Sequence, residues 1–400
     1  MKKIILTGGG TAGHVTPCLA LLPALRGAGF DVSYIGGKAG MERELVGQAG
    51  IPYYGVSTGK LRRYFDLKNL TDAGRVIKGV WEAVSILRAA RPDVIFSKGG
   101  FVAVPVVVAG RLLGIPAVIH ESDISCGLAN KICLPFAKAV CVSFPETLAK
   151  VPKKKAFVTG TPIRRELFDG RREKGLGICG FGGGKPVALV MGGSLGSVKI
   201  NGVLRQALPG MLERFDVIHI CGKGNLAGDL GGGKDAGGNK GISNGGEGLG
   251  GKQEILSAAD DLAGGSVSSG KGLAGYAQFE YVNEDLPHLF AAADIAISRA
   301  GANALAELLA LAKPSILIPL SKKASRGDQI LNAESFGARG FCRVIREEEL
   351  TAERLASEVA ALWQNAGEYA KKMKAAPQAD GVGEVVKVIT SHLLPPGERP

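Results

Sequence analysis

Short runs of apolar residues alternate with Ala- and Leu-rich stretches along most of the chain, which predicts strands separated by helices. In the first half of the chain, the runs with strand character are Lys3–Thr7, Val32–Ile35, Asp93–Ser97, Ala117–His120 and Lys138–Ser143. Buried parallel strands appear in a sequence as nearly continuous apolar runs, and regular alternation covers both faces of the sheet with helices. This part of the chain therefore predicts a doubly wound parallel sheet.

A second series of the same kind follows a basic, glycine-rich stretch at 171–185. Its members are Pro186–Met191, Val217–Cys221, Gln278–Val282, Asp294–Ser298 and Ser315–Pro319. Four hundred residues, 46% of them hydrophobic, are enough for two cores. We therefore predict an α/β protein with two Rossmann-like, doubly wound domains facing across a cleft, where ligands bind at the carboxyl ends of the strands.

Two segments depart from this alternation. Residues 225–275 are rich in Gly, Ser, Asn and Asp, and such a composition buries too little apolar surface to offset the entropy of ordering. We expect a flexible surface insertion there, and a disordered tail from Pro395 to Pro400.

Composition narrows the classes of function. The seven cysteines have no CxxC pairing and the five histidines no ligand spacing, so we expect buried, reduced thiols and no metal site. The apolar run from Phe101 to Gly110 is too short to span a membrane, and Ile4-Ile5-Leu6 is too short for a signal peptide. No DNA- or RNA-binding motif is present.

The net charge of +12 is concentrated in two blocks, at 60–91 and 150–174. In the first block, apolar side chains that include Trp81 alternate with Lys and Arg at helical spacing. The pattern fits an ordinary amphipathic helix packed on the sheet, and it also fits a helix lying on an anionic membrane.

The glycine-rich turn Gly8–His14 follows the first strand directly. Backbone N–H groups in such a turn suit a phosphate or a sugar diphosphate. The spacing Gly8-x-Gly10-x-x-Gly13 also matches the dinucleotide fingerprint, but the second strand ends in Gly36-Gly37-Lys38 without the usual acid. An NADP enzyme with Lys38 on the 2′-phosphate stays open on this pattern alone.

Three further turns lie at predicted strand ends. Gly192–Ser197 offers glycines, the Ser194 hydroxyl and a helix N-terminus, while Glu307, in the helix after Arg299–Ala302, is able to accept bonds from a ribose diol. Arg326–Gln329 suits sugar hydroxyls. Each turn also has a purely structural interpretation: tight packing for the glycines, the helix dipole for Glu307 and an N-cap for Asp328.

Six motifs in order resemble the MurG family of bacterial glycosyltransferases. They are Gly8–His14, His120–Asp123 with Gly127–Lys131, Gly160–Arg164, Gly192–Gly196, Ser298–Ala302 and Asp328–Ala333. The resemblance covers about residues 1–222 and 276–393. The sequence has Asp123 where an Asn is common in the family, and Ala12 in place of a Gly.

The resemblance implies a GT-B fold and an inverting hexosyltransferase without a cofactor or metal. Such an enzyme moves N-acetylglucosamine from UDP-N-acetylglucosamine to the C4 hydroxyl of undecaprenyl-pyrophosphoryl-N-acetylmuramyl-pentapeptide, lipid I, for peptidoglycan synthesis. It implies an acceptor- and membrane-binding domain at 1–162, onto which a helix at about 378–393 packs back, and a UDP-sugar domain at 163–377. It further places the enzyme peripherally on the anionic inner face of the cytoplasmic membrane, with the block at 67–91 as the docking surface.

The resemblance also implies roles for individual residues. The donor would be held by Val282 at the uracil, Glu307 on the ribose, Gln329 on the sugar, and, around the phosphates, by Ser194, Gly301, Ala302, Asn303 and Ala304. Arg164 and the turn Thr11, Ala12 and Gly13 would approach the donor from the other domain. Asp123 would contact the sugar, and glycine loops that include Gly99-Gly100-Phe101 would take the acceptor's pyrophosphate and muramyl sugar.

Transfer requires a base for the acceptor hydroxyl and groups that stabilise the charge growing on UDP. His14 is the leading candidate base because an unperturbed imidazole titrates near neutrality, and Asp123 and Glu121 are lesser candidates. A pure binding role for His14, in which the ring donates to a phosphate, is an equal alternative. An epimerase or glycolipid synthase of the same architecture and a noncatalytic binder of anionic membrane or nucleic acid remain as rival functions.

Overall fold

The computed structural model describes residues 1–59, 68–193, 196–227, 273–322, 325, 327–376 and 380–394, and only the backbone of 68–73. Most of the predicted insertion at 225–275 lies outside these residues, as do Ser194, Arg326 and the tail Pro395–Pro400.

Seven parallel strands form the first sheet, in the order β3-β2-β1-β4-β5-β6-β7. Their bounds are β1 Lys2–Thr7, β2 Phe30–Gly37, β3 Tyr53–Val56, β4 Val94–Ser97, β5 Ala117–Glu121, β6 Ala139–Val142 and β7 Ala156–Val158. The apolar runs did not predict the two edge strands, β3 and β7, because edge strands are short and only partly buried.

The second sheet has the order β10-β9-β8-β11-β12-β13. Its strands are β8 Val187–Met191, β9 Asp216–Ile220, β10 Tyr276–Phe279, β11 Ile295–Ser298, β12 Ser315–Leu317 and β13 Cys342–Val344. β10 ends at Phe279, so the predicted strand at 278–282 was placed too late, and β13 was not predicted. The predicted class, α/β with two parallel Rossmann-like sheets, is confirmed.

The helices lie in the connections between strands, except for the last three, which follow β13. Their bounds are α1 Ala12–Ala20, α2 Leu22–Gly27, α3 Glu42–Gln48, α4 Lys68–Ala90, α5 Ala103–Leu112, α6 Leu128–Cys133, α7 Arg172–Cys179, α8 Val198–Leu212, α9 Leu286–Ala292, α10 Ala302–Ala310, α11 Asp328–Ala338, α12 Ala352–Gln364, α13 Ala366–Ala375 and α14 Gly381–Ser391. Among the described residues, none of them combines the length and apolar character needed to cross a membrane.

Alternate residues of β1 belong to two different apolar clusters, because successive side chains of a strand point to opposite faces. Ile4 and Leu6 lie in one cluster and Ile5 in the other. The C-terminal helix α14 contributes Val385 and Ile389 to the cluster of Ile4. The beginning and the end of the described chain therefore share one core.

Contacts divide the chain into two compact units. The first comprises 1–169, 298–350 and 358–400, and the second comprises 170–297 and 351–357. The domain boundary expected at residue 162 stays a prediction.

Helix α4 has a buried face and an exposed apolar pair. Ala83, Val84 and Leu87 are buried against the sheet, whereas Ile77 is 61% and Trp81 68% exposed. The buried face accounts for the amphipathic pattern only in part, since packing on the sheet leaves the two large apolar side chains in contact with solvent.

Candidate active site

His14 is the third residue of α1, which begins directly after the glycine-rich turn. Its ring Nδ1 lies 3.2 Å from the backbone oxygen of Lys98. Because a carbonyl oxygen only accepts hydrogen bonds, this contact assigns the proton to Nδ1. The neutral ring then carries its lone pair on Nε2, which is the arrangement that a base requires.

Lys98 follows β4 and is only 2% exposed. Its backbone N–H donates to the Thr7 oxygen at 2.9 Å, and its ammonium donates to the Ser122 hydroxyl. Burial lowers the pKa of the Lys98 ammonium, an effect that the nearby Glu121 carboxylate opposes. The sequence interpretation missed Lys98, although a lysine between an apolar strand and two glycines was a usable signal.

Glu121, at the end of β5, organises the loop that follows this strand. Its carboxylate accepts bonds from the Asp123 N–H at 3.1 Å, the Gly127 N–H at 2.8 Å and the Asn130 side chain at 2.9 Å. Three donors hold the Glu121 carboxylate in one orientation. Glu121 is therefore better placed to hold this loop in position than to accept a proton from a substrate.

The Asp123 carboxylate accepts a 2.9 Å bond from the side chain of Asn332 on α11. Burial raises the pKa of Asp123, and the bond from Asn332 works against this rise. Asn332 is fully buried and also accepts the Ile124 N–H at 3.2 Å. Asn332 belongs to one of the six motifs, but the sequence had assigned it no role.

The first turn of α11 shows a different role for Asp328 from the N-cap expected from the sequence. Gly327 is the N-cap and Asp328 the first helical residue, so the expected capping role of Asp328 is wrong. Its carboxylate instead accepts the Ser125 hydroxyl. The loop after β5 is thus bonded to α11 through Asp123, Ile124 and Ser125.

The turn before α10 and the turn before α1 meet in the first unit. Gly301 is the N-cap of α10, and the Asn303 side chain donates to the Gly13 oxygen at 3.0 Å. The segments Thr11–Gly13 and Gly301–Ala304, both of which are predicted to bind the sugar-nucleotide donor, therefore lie next to each other.

Glu307 lies in the second turn of α10. Burial raises the pKa of its carboxyl group to about 7, while the positive charge of Arg164 acts in the opposite direction. The two residues are therefore within electrostatic range of each other.

Two polar residues near the end of β12 support the loop that follows it. The Gln329 side-chain oxygen accepts the Leu320 N–H at 3.1 Å, which leaves its NH₂ group as the end available to a sugar. Arg299 pairs with Glu347 at 2.5 Å and donates to the Ile318 oxygen at 3.1 Å. Arg299 thus has a structural role within the motif Ser298–Ala302.

In the second unit, the segment between β8 and α8 is described at its two ends, Gly192–Gly193 and Gly196–Ser197. Gly193 and Gly196 have φ values of +93° and +76°, which favour glycine, and Ser197 caps α8 by accepting the Ile200 N–H at 3.3 Å. Val282 is partly buried and lies three residues beyond β10. Ser194 is outside the described residues.

Comparison with known proteins identifies the fold as GT-B, the architecture of many nucleotide-sugar glycosyltransferases. The crystal structure of Acinetobacter baumannii MurG superimposes with a TM-score of 0.70 and 25% identity, covering 98% of this chain and 100% of that one. The models of the glycosyltransferase family 28 N-terminal and C-terminal domains match residues 4–142 and 261–389.

Relatives from Lachnoclostridium phytofermentans and Geobacillus kaustophilus are each 50% identical over 389 residues, which is 97% of this chain and 98% of theirs. Both are named UDP-N-acetylglucosamine--N-acetylmuramyl-(pentapeptide) pyrophosphoryl-undecaprenol N-acetylglucosamine transferase. The chain belongs to glycosyltransferase family 28 and, within it, to the MurG family. The resemblance inferred from the six motifs is confirmed.

Proposed function

We propose that this protein transfers N-acetylglucosamine from UDP-N-acetylglucosamine to the C4 hydroxyl of lipid I, which yields lipid II for peptidoglycan synthesis. The observation that carries the proposal is 50% identity, over nearly the whole chain, to relatives named for this transfer. An epimerase or a noncatalytic binding module would share the sheets, but not identity of this extent to these relatives.

The proposed donor site combines residues assigned by the family resemblance. Glu307 binds the ribose, the backbone of Val282 the uracil, and the NH₂ group of Gln329 the sugar. The diphosphate is bound by Ser194, Arg164 and the turns Thr11–Gly13 and Gly301–Ala304. The contact between Asn303 and Gly13 supports this assignment, because it places two of these turns side by side.

In the proposed mechanism, His14 Nε2 accepts the proton of the acceptor C4 hydroxyl. The hydroxyl oxygen forms a bond to the anomeric carbon while the bond from that carbon to the UDP oxygen breaks, with inversion. The Lys98 carbonyl holds Nδ1–H and so orients the imidazole. The charge developing on UDP is stabilised by Arg164 and by the N-terminus of α10.

The proposed location is the anionic inner face of the cytoplasmic membrane, where the enzyme is bound peripherally. Ile77 and Trp81 expose apolar surface on α4, and Arg75, Lys78 and Arg88 on the same helix are exposed as well. An apolar pair surrounded by cations suits insertion between anionic headgroups.

The test is UDP release from UDP-N-acetylglucosamine, with and without a soluble lipid I analogue. Release is expected to depend on the acceptor. His14→Ala is expected to lower kcat by about 10²–10⁴-fold with donor binding unchanged, because a base acts only in the chemical step. His392→Ala, outside the proposed site, is the control.

Two results would count against these assignments. UDP release that does not respond to the acceptor would contradict the proposed reaction. A His14→Ala enzyme with normal kcat and a raised KM for the acceptor would make His14 a binding residue, and Asp123 would be tested next.

A further inference from the structure

Glu42, the first residue of α3, is a buried carboxylate with a role that neither the motifs nor the proposed reaction assigns. Its side chain is 1% exposed. One carboxylate oxygen accepts the Gly37 N–H at 2.8 Å, and the other accepts the Gly10 N–H at 3.3 Å. The acid therefore connects the glycine turn after β1 with the end of β2.

Glycines in both segments provide the space for this carboxylate. A Cβ atom on Gly9 would lie 2.7 Å from the Glu42 carboxylate, and one on Gly37 would lie 2.9 Å from its oxygen. A Cβ on Gly36 would lie 2.9 Å from Glu42 Cγ, and one on Gly40 would overlap the carboxylate. These four glycines form a cavity that a side chain of the same chain fills.

This arrangement bears on the dinucleotide fingerprint formed by Gly8, Gly10 and Gly13. Nucleotide phosphates bind such turns through backbone N–H groups, and the Gly10 N–H already donates to Glu42. Lys38, the residue that could have bound a 2′-phosphate, instead pairs with Glu82 at 2.7 Å.

We propose that Glu42 is a resident anion of the first glycine turn: it excludes nucleotide phosphate from the Gly8–Gly10 part of that turn and positions the segment Thr11–Gly13 that leads into His14. Glu42 is then a specificity-determining and positioning residue, because it acts through the turn and has no contact with the reacting atoms. The part concerning His14 rests on the proposed function, whereas the part concerning the anion does not.

The proposal is tested by filling the cavity with an external anion. Glu42→Ala removes a group about the size of acetate, so sodium acetate at about ten times its dissociation constant is expected to raise the Tm of this variant by about 2–4 °C over sodium chloride of equal ionic strength. The wild type and Glu44→Ala, a partly buried acid on the same helix, are expected not to respond. Inorganic phosphate is expected to stabilise Glu42→Ala more than the wild type.

A second variant keeps the test decisive if Glu42→Ala is insoluble in chloride. In Glu42→Gln, the amide NH₂ faces a backbone N–H, so a lower Tm than in Glu44→Gln and a kcat reduced about tenfold or more, with unchanged donor KM, are expected. Acetate is expected to restore kcat in Glu42→Ala.

The proposal is overturned if acetate and phosphate leave Glu42→Ala unaffected, or if Glu42→Gln has the Tm and kcat of the wild type. The Tm measurements need no substrate. A failure of the anion hypothesis is therefore distinguishable from a failure of the proposed transfer reaction.

Discussion

Single ionisable side chains in this protein are controlled by burial and by one or two nearby charges. Burial raises the pKa values of Asp123 and Glu307 and lowers the pKa of Lys98, because it disfavours the charged form of each group. In each case an opposite charge or a hydrogen bond counteracts the effect. Of these three groups, Glu307, with a pKa of about 7, is the one whose charge changes near neutral pH.

Glu307 leads to a prediction about donor binding. A ribose diol donates to the charged carboxylate, so binding favours deprotonation, and the free enzyme, with a Glu307 pKa of about 7, must lose this proton first. Affinity for UDP-N-acetylglucosamine should rise with pH, about tenfold from pH 6 to pH 8, as measured by calorimetry. In the unliganded protein, Glu307 has the opposite effect on stability, because its pKa is higher in the folded than in the unfolded chain. Its contribution to the free energy of unfolding is fully present below the unfolded pKa and is lost as pH rises through about 7.

Glu307→Gln should remove this pH dependence and weaken donor binding at pH 8 by about 10–150-fold, the usual loss for a charge-assisted hydrogen bond. Glu348→Gln, at an exposed acid, is the control. A wild-type dissociation constant that stays constant from pH 6 to pH 8 would rule out the carboxylate as the ribose ligand.

At the scale of one element, α4 has one face that packs on the sheet and another that is exposed to solvent. Since Ala83, Val84 and Leu87 pack on the sheet, Ile77 and Trp81 can change without disturbing the core. We expect the double variant Ile77→Ser/Trp81→Ser to bind vesicles containing anionic phospholipid at least about 150-fold more weakly, because burial of each large apolar side chain contributes about 1.5–3 kcal/mol. Sedimentation with the vesicles measures this binding.

Turnover of a soluble acceptor should stay at the wild-type level in the double variant, and Ala89→Ser, an exposed position on the same helix, should bind vesicles normally. Higher ionic strength should weaken wild-type binding, since part of the attraction is electrostatic. Equal vesicle binding by the wild type and the double variant would remove α4 from the membrane surface.

At the scale of the whole molecule, α14 connects the C-terminal part of the chain with the core of the first sheet. Ile389 is fully buried in the cluster that contains Ile4 and Leu6. Ile389→Ala should lower the free energy of unfolding by about 2–5 kcal/mol, from lost burial and the cavity left behind. Lys387→Ala, at an exposed position two residues earlier in the chain, should change it by less than about 0.5 kcal/mol.

Denaturant titration of the two variants measures this difference. Equal midpoints and slopes for Ile389→Ala and the wild type would mean that α14 does not contribute to the stability of the first sheet.

Most buried strands and the turns that follow them were predictable from local sequence. Buried parallel strands are nearly continuous apolar runs, as at Val94–Ser97, and glycines mark the sharp turns after β1 and β8. The short strands β3, β7 and β13 were not predictable in this way, because a few partly buried residues do not form a recognisable run. The order of six motifs was enough to indicate the family.

The partners of the polar residues could not be derived from any local pattern. Asp123 bonds to Asn332, which is 209 residues away, and Glu42 fills the space between two glycine segments. The backbone oxygen of Lys98 contacts His14, and its ammonium group donates to the Ser122 hydroxyl. Periodicity reports which face of an element is apolar, but burial and electrostatics depend on neighbours brought together from distant parts of the chain. Local sequence therefore determines most of the buried strands, the turns that follow them and the family of this protein, while the short strands, the hydrogen-bond partners and the charge states arise only when the chain is folded.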